Sequence, residues 1–333
     1  MPHNPVYPRE SAMHLPSHFS RRDAMKTLAA ATPAILSAGA LVAASSARAE
    51  DAAAAAPAKR GVRIGKLRQS VCNWSWGHGL ENLCKFCVEY GLTGIDLLDP
   101  GDFPMVKKYN LQCSLVGGIG NGFGIGKGLN RKENHEGYLK FLMARVDAAS
   151  EAGFKQVICF SGNRGGLSDA EGLDNCVPAL VTLARYAKNK NVTITMELLN
   201  SKDHRDYMCD TSKWGVELCE KVAKGMDLDP AKAGAKDSHF GLLYDIYHMQ
   251  RMEGDIINTI RQNKRWYNHY HTAGNPGRGP LLGKGSEMNY TPIAKAVLEA
   301  INSTGQTDTF MAHEFCGGSA NDHLEAVELC DVG

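Results

Sequence analysis

The sequence predicts an α/β fold, a single (β/α)8 TIM barrel over residues 61–333, on three observations. Short apolar, β-branched runs alternate with amphipathic stretches from residue 67 to the C-terminus, the pattern of a parallel sheet wrapped by helices. The alternation recurs eight times in about 270 residues, the size of one closed barrel. The later apolar runs end in acidic residues or histidine, at the edge where a barrel carries its chemistry.

The elements follow in order. Residues 67–72 read as the first strand and 80–90 (LENLCKFCVEY) as a helix stopped by Gly91. The second strand is 93–98 (TGIDLL), with a short helix over 102–109. The third, 111–116, leads into a Gly-rich loop over 117–130 and a helix over 134–152 that Gly153 ends. The fourth strand is 156–160, with its helix at 174–189. The fifth, 192–198 (VTITMEL), precedes a loop over 200–210 and a helix over 212–224. Strands six to eight fall at 239–244, 267–272 and 309–313, with helices at 256–262 and 292–303 between them. The last helix, 322–330, is short: either a stub closes the barrel, or the terminus packs on a second copy in a homo-oligomer.

The first 49 residues stand apart from this pattern. Ser20-Arg21-Arg22-Asp23-Ala24-Met25-Lys26 precedes an Ala/Leu-rich run over 27–44 and the small-residue site Ala47-Arg48-Ala49. That layout is a secretory signal, and its paired arginines resemble the twin-arginine (Tat) signal. It implies the Tat export machinery as a partner and a periplasmic or otherwise exported location. Pro33, Ser37 and Gly39 interrupt the apolar run and make it a poor membrane span, so no stable membrane insertion is expected after cleavage. Residues 50–60 read as a flexible linker.

The chain is 43% hydrophobic with a formal net charge of +1, which argues against a nucleic-acid partner. All ten cysteines follow residue 49, where an oxidising compartment would allow some to pair. Cys84-x-x-Cys87 sits inside a helical pattern with no second CxxC, so packing is its expected role. The loop sequence GGIGNGFGIG is not followed by GK[ST] and reads as a mobile lid over the barrel mouth rather than a phosphate cradle.

The acidic strand ends carry the chemistry. Strands five to eight end in Glu197, Asp245, His271 and Glu314. A single strand-end carboxylate reads first as a helix cap or a loop ion pair. Three carboxylates on one mouth would repel one another unless a cation sat among them. Three carboxylates and an imidazole are a hard O/N donor set, suited to one divalent ion, Mn2+ or Mg2+ before Co2+ or Zn2+. Period-two geometry puts His269 one layer beneath His271 as a hydrogen-bonded core group, and leaves room above Ala312 for Glu314. His239 and His313 should point outward or sideways.

The segments ITMELLN, LLYDIYHMQ, HYHTAGNPGR, EMNY and AHEF resemble, in that order, the motifs of the xylose isomerase-like barrel superfamily. Within it they are similar to the hydroxypyruvate isomerase-like branch of sugar isomerases and epimerases, over residues 67–316. The resemblance implies that Glu197 and Glu314 are both metal ligands and the acid/base pair, that Asp245 and His271 complete the metal shell, and that His248 and Arg278 contact substrate oxygens. Hydroxypyruvate isomerases often carry glutamine where this chain has His271, the residue that ketose 3-epimerases use. The implied substrate is therefore a hydroxy-keto acid or a sugar.

The reaction type can also be argued from chemistry. Moving a proton between carbons flanking a carbonyl needs a base, a group to return the proton, and stabilisation of an enediolate. Two carboxylates and a divalent ion supply these. Competing readings are a dehydratase for an inosose-like ketone on the same barrel, a non-catalytic sugar-binding barrel, and a phosphodiesterase resembling endonuclease IV, which would need more His and Asp ligands and a basic groove. Trp74 and Trp76 are candidates to wall the pocket. Glu287 and Tyr290 read as capping and packing residues.

Overall fold

The computed structural model describes residues 65–333. The expected signal and linker, residues 1–60, lie outside the described residues. Eight strands, each hydrogen-bonded to the next and the last to the first, close a parallel barrel. They are β1 (Gln69–Cys72), β2 (Gly94–Leu98), β3 (Gln112–Val116), β4 (Gln156–Cys159), β5 (Thr193–Leu198), β6 (Phe240–Asp245), β7 (Tyr267–Thr272) and β8 (Met311–His313). The (β/α)8 barrel that the alternation predicts is the fold observed.

The helices between strands pack apolar faces such as Leu83, Phe86 and Cys87, or Leu180, Leu183 and Ala187, against the outer surface of the sheet. Where helix boundaries differ from expectation, capping chemistry is the reason. The helix after β4 runs Asp169–Asn189, starting five residues before the expected 174, because Ser168 and Glu171 cap it reciprocally. The helix after β6, Ile246–Met252, was not expected. It starts directly at the strand end because Asp245 is its N-cap. His239 does not belong to β6; it sits at φ +52, ending the short helix Ala235–Ser238.

The last helix, Ala320–Leu329, closes the barrel on its own chain. Gln69 donates to the Val327 carbonyl, Thr291 to that of Leu329, and the Val332 carbonyl accepts from Lys66. Nine of the ten cysteines are buried, and Cys84 and Cys87, which form no disulfide, pack in the core. Among the described residues no helix is long and apolar enough to cross a membrane.

His323, on the last helix, is buried with its ring stacked 4.3 Å from Phe315 and tilted against Trp76 at 5.3 Å. Burial pushes its pKa down to about 4, against a weak bond that its ring donates to the Ser75 carbonyl and that favours the proton. The unfolded chain therefore binds the extra proton first, and stability falls as pH drops from about 6.5 to about 4, by up to about 3 kcal/mol. Urea unfolding across that range should show a shallower loss for His323→Leu; parallel curves would assign the acid sensitivity elsewhere.

Candidate active site

At the C-terminal end of the barrel, Glu197 of β5, Asp245 of β6, His271 of β7 and Glu314, one residue beyond β8, bring one ligating atom each to within 4.8 Å of one another. Strand pairing sets this. Asp245 lies beside His271 and His271 beside Ala312, while the Glu314 amide donates to the Thr272 carbonyl. All four side chains are buried. His271 Nδ1 lies 2.7 Å from Glu314 Oε2, 3.7 Å from Glu197 Oε1 and 4.0 Å from Asp245 Oδ2.

Asp245 combines the two roles that compete for a strand-end carboxylate. Its Oδ1 accepts from the His248 amide at 2.9 Å and caps the helix, while Oδ2 faces the cluster. Arg278 reaches the same point from the loop after β7, where the Gly274 amide bonds to the Gly279 carbonyl and Arg278 adopts φ +55. Its Nη2 is 3.4 Å from Asp245 Oδ2 and 2.5 Å from Glu314 Oε2, and its guanidinium lies between the rings of Trp74 and Tyr247. Its Nε is buried without an acceptor among the described residues.

The charges sort the carboxylates. Burial and the neighbouring Glu314 charge push Glu197 well above the usual carboxylate range. Burial also raises Asp245, to about 6. For Glu314 burial acts the same way, but the Arg278 guanidinium, His271 and the Trp74 indole N–H at 2.9 Å outweigh it and hold it well below. The donor set fits a divalent cation: three hard oxygens and one imidazole nitrogen, drawn to one point.

His248 does not enter that cluster. It is buried on the helix Ile246–Met252, and its Nδ1 accepts from the Asn200 amide. Asn200 is oriented by its own Oδ1, which accepts from the Asp203 amide at 2.6 Å, so its NH2 must face the imidazole. His248 Nε2 then carries the proton. It lies 3.6 Å from Asp245 Oδ2 and has no hydrogen-bond partner among the described residues. Burial, then the Arg278 charge, lowers its pKa well below the histidine norm, so it is a neutral N–H donor. His204 lies beside it, ring centroids 5.2 Å apart.

Sequence reasoning missed Asp96 of β2, a fully buried carboxylate 2.8 Å from His271 Nε2 and 3.1 Å from His269 Nε2. Its two-residue spacing from Gly94, which puts both on one face of β2, was the one readable signal. Asn200 and His204, in the loop after β5, carried none. His269 lies beneath His271 as expected, between Asp96 and Gln156 Oε1. His313 is buried and bridges Thr272 and Gln69. Trp76 packs in the core, whereas Trp74 lines the mouth. Glu287 is no cap: it accepts from Asn275, and Tyr290 braces the backbone at Ala273.

The mouth is a cavity of about 310 Å³ whose lining includes Trp74, Ile119, Phe160, Glu197, Arg278 and Glu314. The Gly-rich loop forms its apolar wall and is tied down at both ends, Gly118 by the Tyr138 hydroxyl and Leu129 and Asn130 by β-type bonds to Phe160 and Ser161. A second cavity of about 320 Å³, at the opposite end of the barrel around Lys155, Gln156, Lys236 and Asp308, gathers no comparable set of ligating groups.

The model of the xylose isomerase-like TIM barrel family matches residues 84–305, more than half of the chain. The chain belongs to this family. Within the xylose isomerase-like family it is 28% identical to hydroxypyruvate isomerase from Escherichia coli (strain K12) over 159 residues, covering 46% of this chain and 54% of that protein. It is 27% identical to 2-oxo-tetronate isomerase from Cupriavidus necator over 127 residues, 38% of this chain and 42% of that one. The chain thus spans about half the length of the curated relatives it matches. Among solved structures it resembles a family 2 AP endonuclease from Brucella melitensis (TM-score 0.62, 17% identity, 79% of this chain and 98% of that one). It also resembles the 3-keto-D-glucoside 4-epimerase of E. coli (TM-score 0.59, 16% identity, 80% and 99%). At these identities the two structures report the fold alone.

The wall position of the loop is testable. A Cβ on Gly118 would meet the Ile158 carbonyl oxygen at 1.9 Å, a backbone atom that cannot swing aside. Gly118→Ala should therefore cost about 1–3 kcal/mol in urea unfolding. An unchanged midpoint would mean that the loop is free to lift from β4.

Proposed function

We propose that this chain is a divalent-metal-dependent isomerase or epimerase of a small hydroxy-carbonyl compound, a hydroxy-keto acid or a ketose, working through an enediolate. The observation that carries the reading is the convergence of Glu197, Asp245, His271 and Glu314 on one buried point. The curated relatives, a hydroxypyruvate isomerase and a 2-oxo-tetronate isomerase, support it.

Glu197, Asp245, His271 and Glu314 would hold the ion, Mn2+ or Mg2+ by donor chemistry. When bound, the ion supplies polarisation of the substrate carbonyl and charge neutralisation of the enediolate. Glu197 and Glu314 come from strands three positions apart around the closed barrel and so face different sides of a substrate bound between them. One takes the C–H proton at a carboxylate oxygen and the other returns it. Trp74 holds Glu314 Oε1 in place. The Nε2–H of His248 and the Nε–H of Arg278 are donors without partners among the described residues, ready for substrate oxygens. The apolar wall of Ile119 and Phe160 limits water at the reacting carbons.

Residues 1–49 are proposed as a Tat signal, which would deliver the folded barrel to the periplasm. N-terminal sequencing of the secreted form should begin after Ala49.

Two measurements test the catalytic reading. The metal-loaded protein, screened by NMR against hydroxypyruvate, ketohexoses and an inosose in D2O, should incorporate deuterium at carbon during turnover. Glu197→Gln and Glu314→Gln should each lower kcat by about 10²–10⁴-fold with the barrel intact. Loss of water from the product would point to a dehydratase instead, and full activity in either variant would remove that residue from the mechanism.

Metal binding should depend on pH. Glu197 and Asp245 both hold protons more tightly than ordinary carboxylates, and a ligand must release its proton to bind. Affinity for Mn2+ should weaken as pH falls from about 7 to about 5, with proton release visible in calorimetry across buffers of different ionisation enthalpy. Binding that is independent of pH and buffer would contradict it.

A further inference from the structure

Asp96 accepts from three side chains on three strands, Cys72, Ser114 and His271, and faces a fourth, His269. Its Oδ2 faces His271 Nε2 at 2.8 Å and the Cys72 thiol at 3.7 Å, and its Oδ1 faces His269 Nε2 at 3.1 Å and the Ser114 hydroxyl. The carboxylate is completely buried, so these contacts are what it has in place of water. An ionised carboxylate only accepts, so the His271 ring must present a hydrogen at Nε2. Its other nitrogen, Nδ1, is then the one turned toward the mouth, among Glu314, Glu197 and Asp245. Nothing else bonds His271 Nε2 as closely; the Cys72 sulfur is 4.0 Å away.

We propose that Asp96 is the positioning residue that fixes the tautomer and ring orientation of His271 and so makes Nδ1 its metal-binding atom. The inference rests on the reading of the mouth as a metal site. The physical basis is that a carboxylate behind a ligating imidazole holds the proton on the far nitrogen and removes the ring's freedom to turn. An amide at position 96 would replace one accepting oxygen with an NH2 group. Turned toward His271, that group would require Nε2 to accept, which moves the proton to Nδ1 and blocks the ligating lone pair.

The full chain, stripped by chelator and titrated with Mn2+ by calorimetry, tests this beside its Asp96→Asn variant. The variant is expected to bind Mn2+ about 10–100-fold more weakly, with the circular dichroism of the wild-type barrel retained. A purely structural role for Asp96 would lower the unfolding midpoint and leave the dissociation constant of the folded protein unchanged; that result overturns the proposal. Should the variant not fold, the wild type decides. In the Mg2+-loaded protein with 15N-labelled histidine, assigned by the signal lost in His271→Asn, His271 should carry its hydrogen on Nε2. A hydrogen on Nδ1 overturns the proposal. A wild-type chain that binds no Mn2+ refutes the metal reading itself, which is a different failure from binding that ignores Asp96.

Discussion

Drawing Glu197, Asp245 and Glu314 to one point of a buried mouth is the arrangement that the surrounding side chains have to accommodate. At an effective dielectric constant of about 20, two carboxylates about 4–5 Å apart repel by roughly 3–4 kcal/mol. Three such pairs approach the whole stability of a typical domain, about 5–15 kcal/mol. The chain relieves the repulsion unevenly. Arg278, His271 and Trp74 gather around Glu314 and keep it ionised, whereas Glu197 has His271 Nδ1 only at 3.7 Å and favours its proton. The two proposed proton-transfer residues are thus chemically unequal before any substrate or ion is considered.

That asymmetry is set by backbone. Asp245 can turn one oxygen to the mouth because its other oxygen is committed to the helix that starts at the strand end. The same helix buries His248 behind the cluster and lets the loop after β5 reach it through Asn200. Arg278 stands where it does because the loop after β7 folds back on itself between Gly274 and Gly279. The ends of β6 and β7 therefore each solve a local capping or turn requirement with a residue that also faces the site. A substitution made to improve a cap or a turn here would alter the electrostatics of the mouth as well.

The barrel and the four convergent residues were legible because both rest on periodicity. Eight alternations fix the closure, and strand ends fix which residues share the mouth. Helix starts were less legible. The Ser168–Glu171 cap lies in a polar stretch that reads as loop until the reciprocal bonds are seen, and Asp245 gave no sign that it opens a helix. Asp96 was passed over for another reason. It lies inside a strand rather than at its end, where an acidic residue reads as a surface position, and only barrel closure brings β2 across from β7. Long-range pairs of this kind, here separated by 175 residues, leave no trace in local pattern.

The interior of this barrel is more polar than layers of Val, Ile and Leu would make it. From the mouth inward, Glu314, His271, Asp96, His269 and Gln156 form one continuous column, with contacts of 2.7, 2.8, 3.1 and 3.1 Å. Gln156 is anchored at the far end by the Asn268 and Asp308 carbonyls, which fixes its amide and turns its oxygen to His269. Gln156 thus orients His269, and Asp96 orients His271. Burying so many polar groups is tolerable only when nearly every one is paired, and a column with one partner removed is worse than an apolar core. The column ties the geometry of the mouth to backbone carbonyls at the opposite end of the barrel. The scaffold's rigidity is thereby delivered to His271, the one nitrogen ligand among three carboxylates, whose ring would otherwise be free to turn.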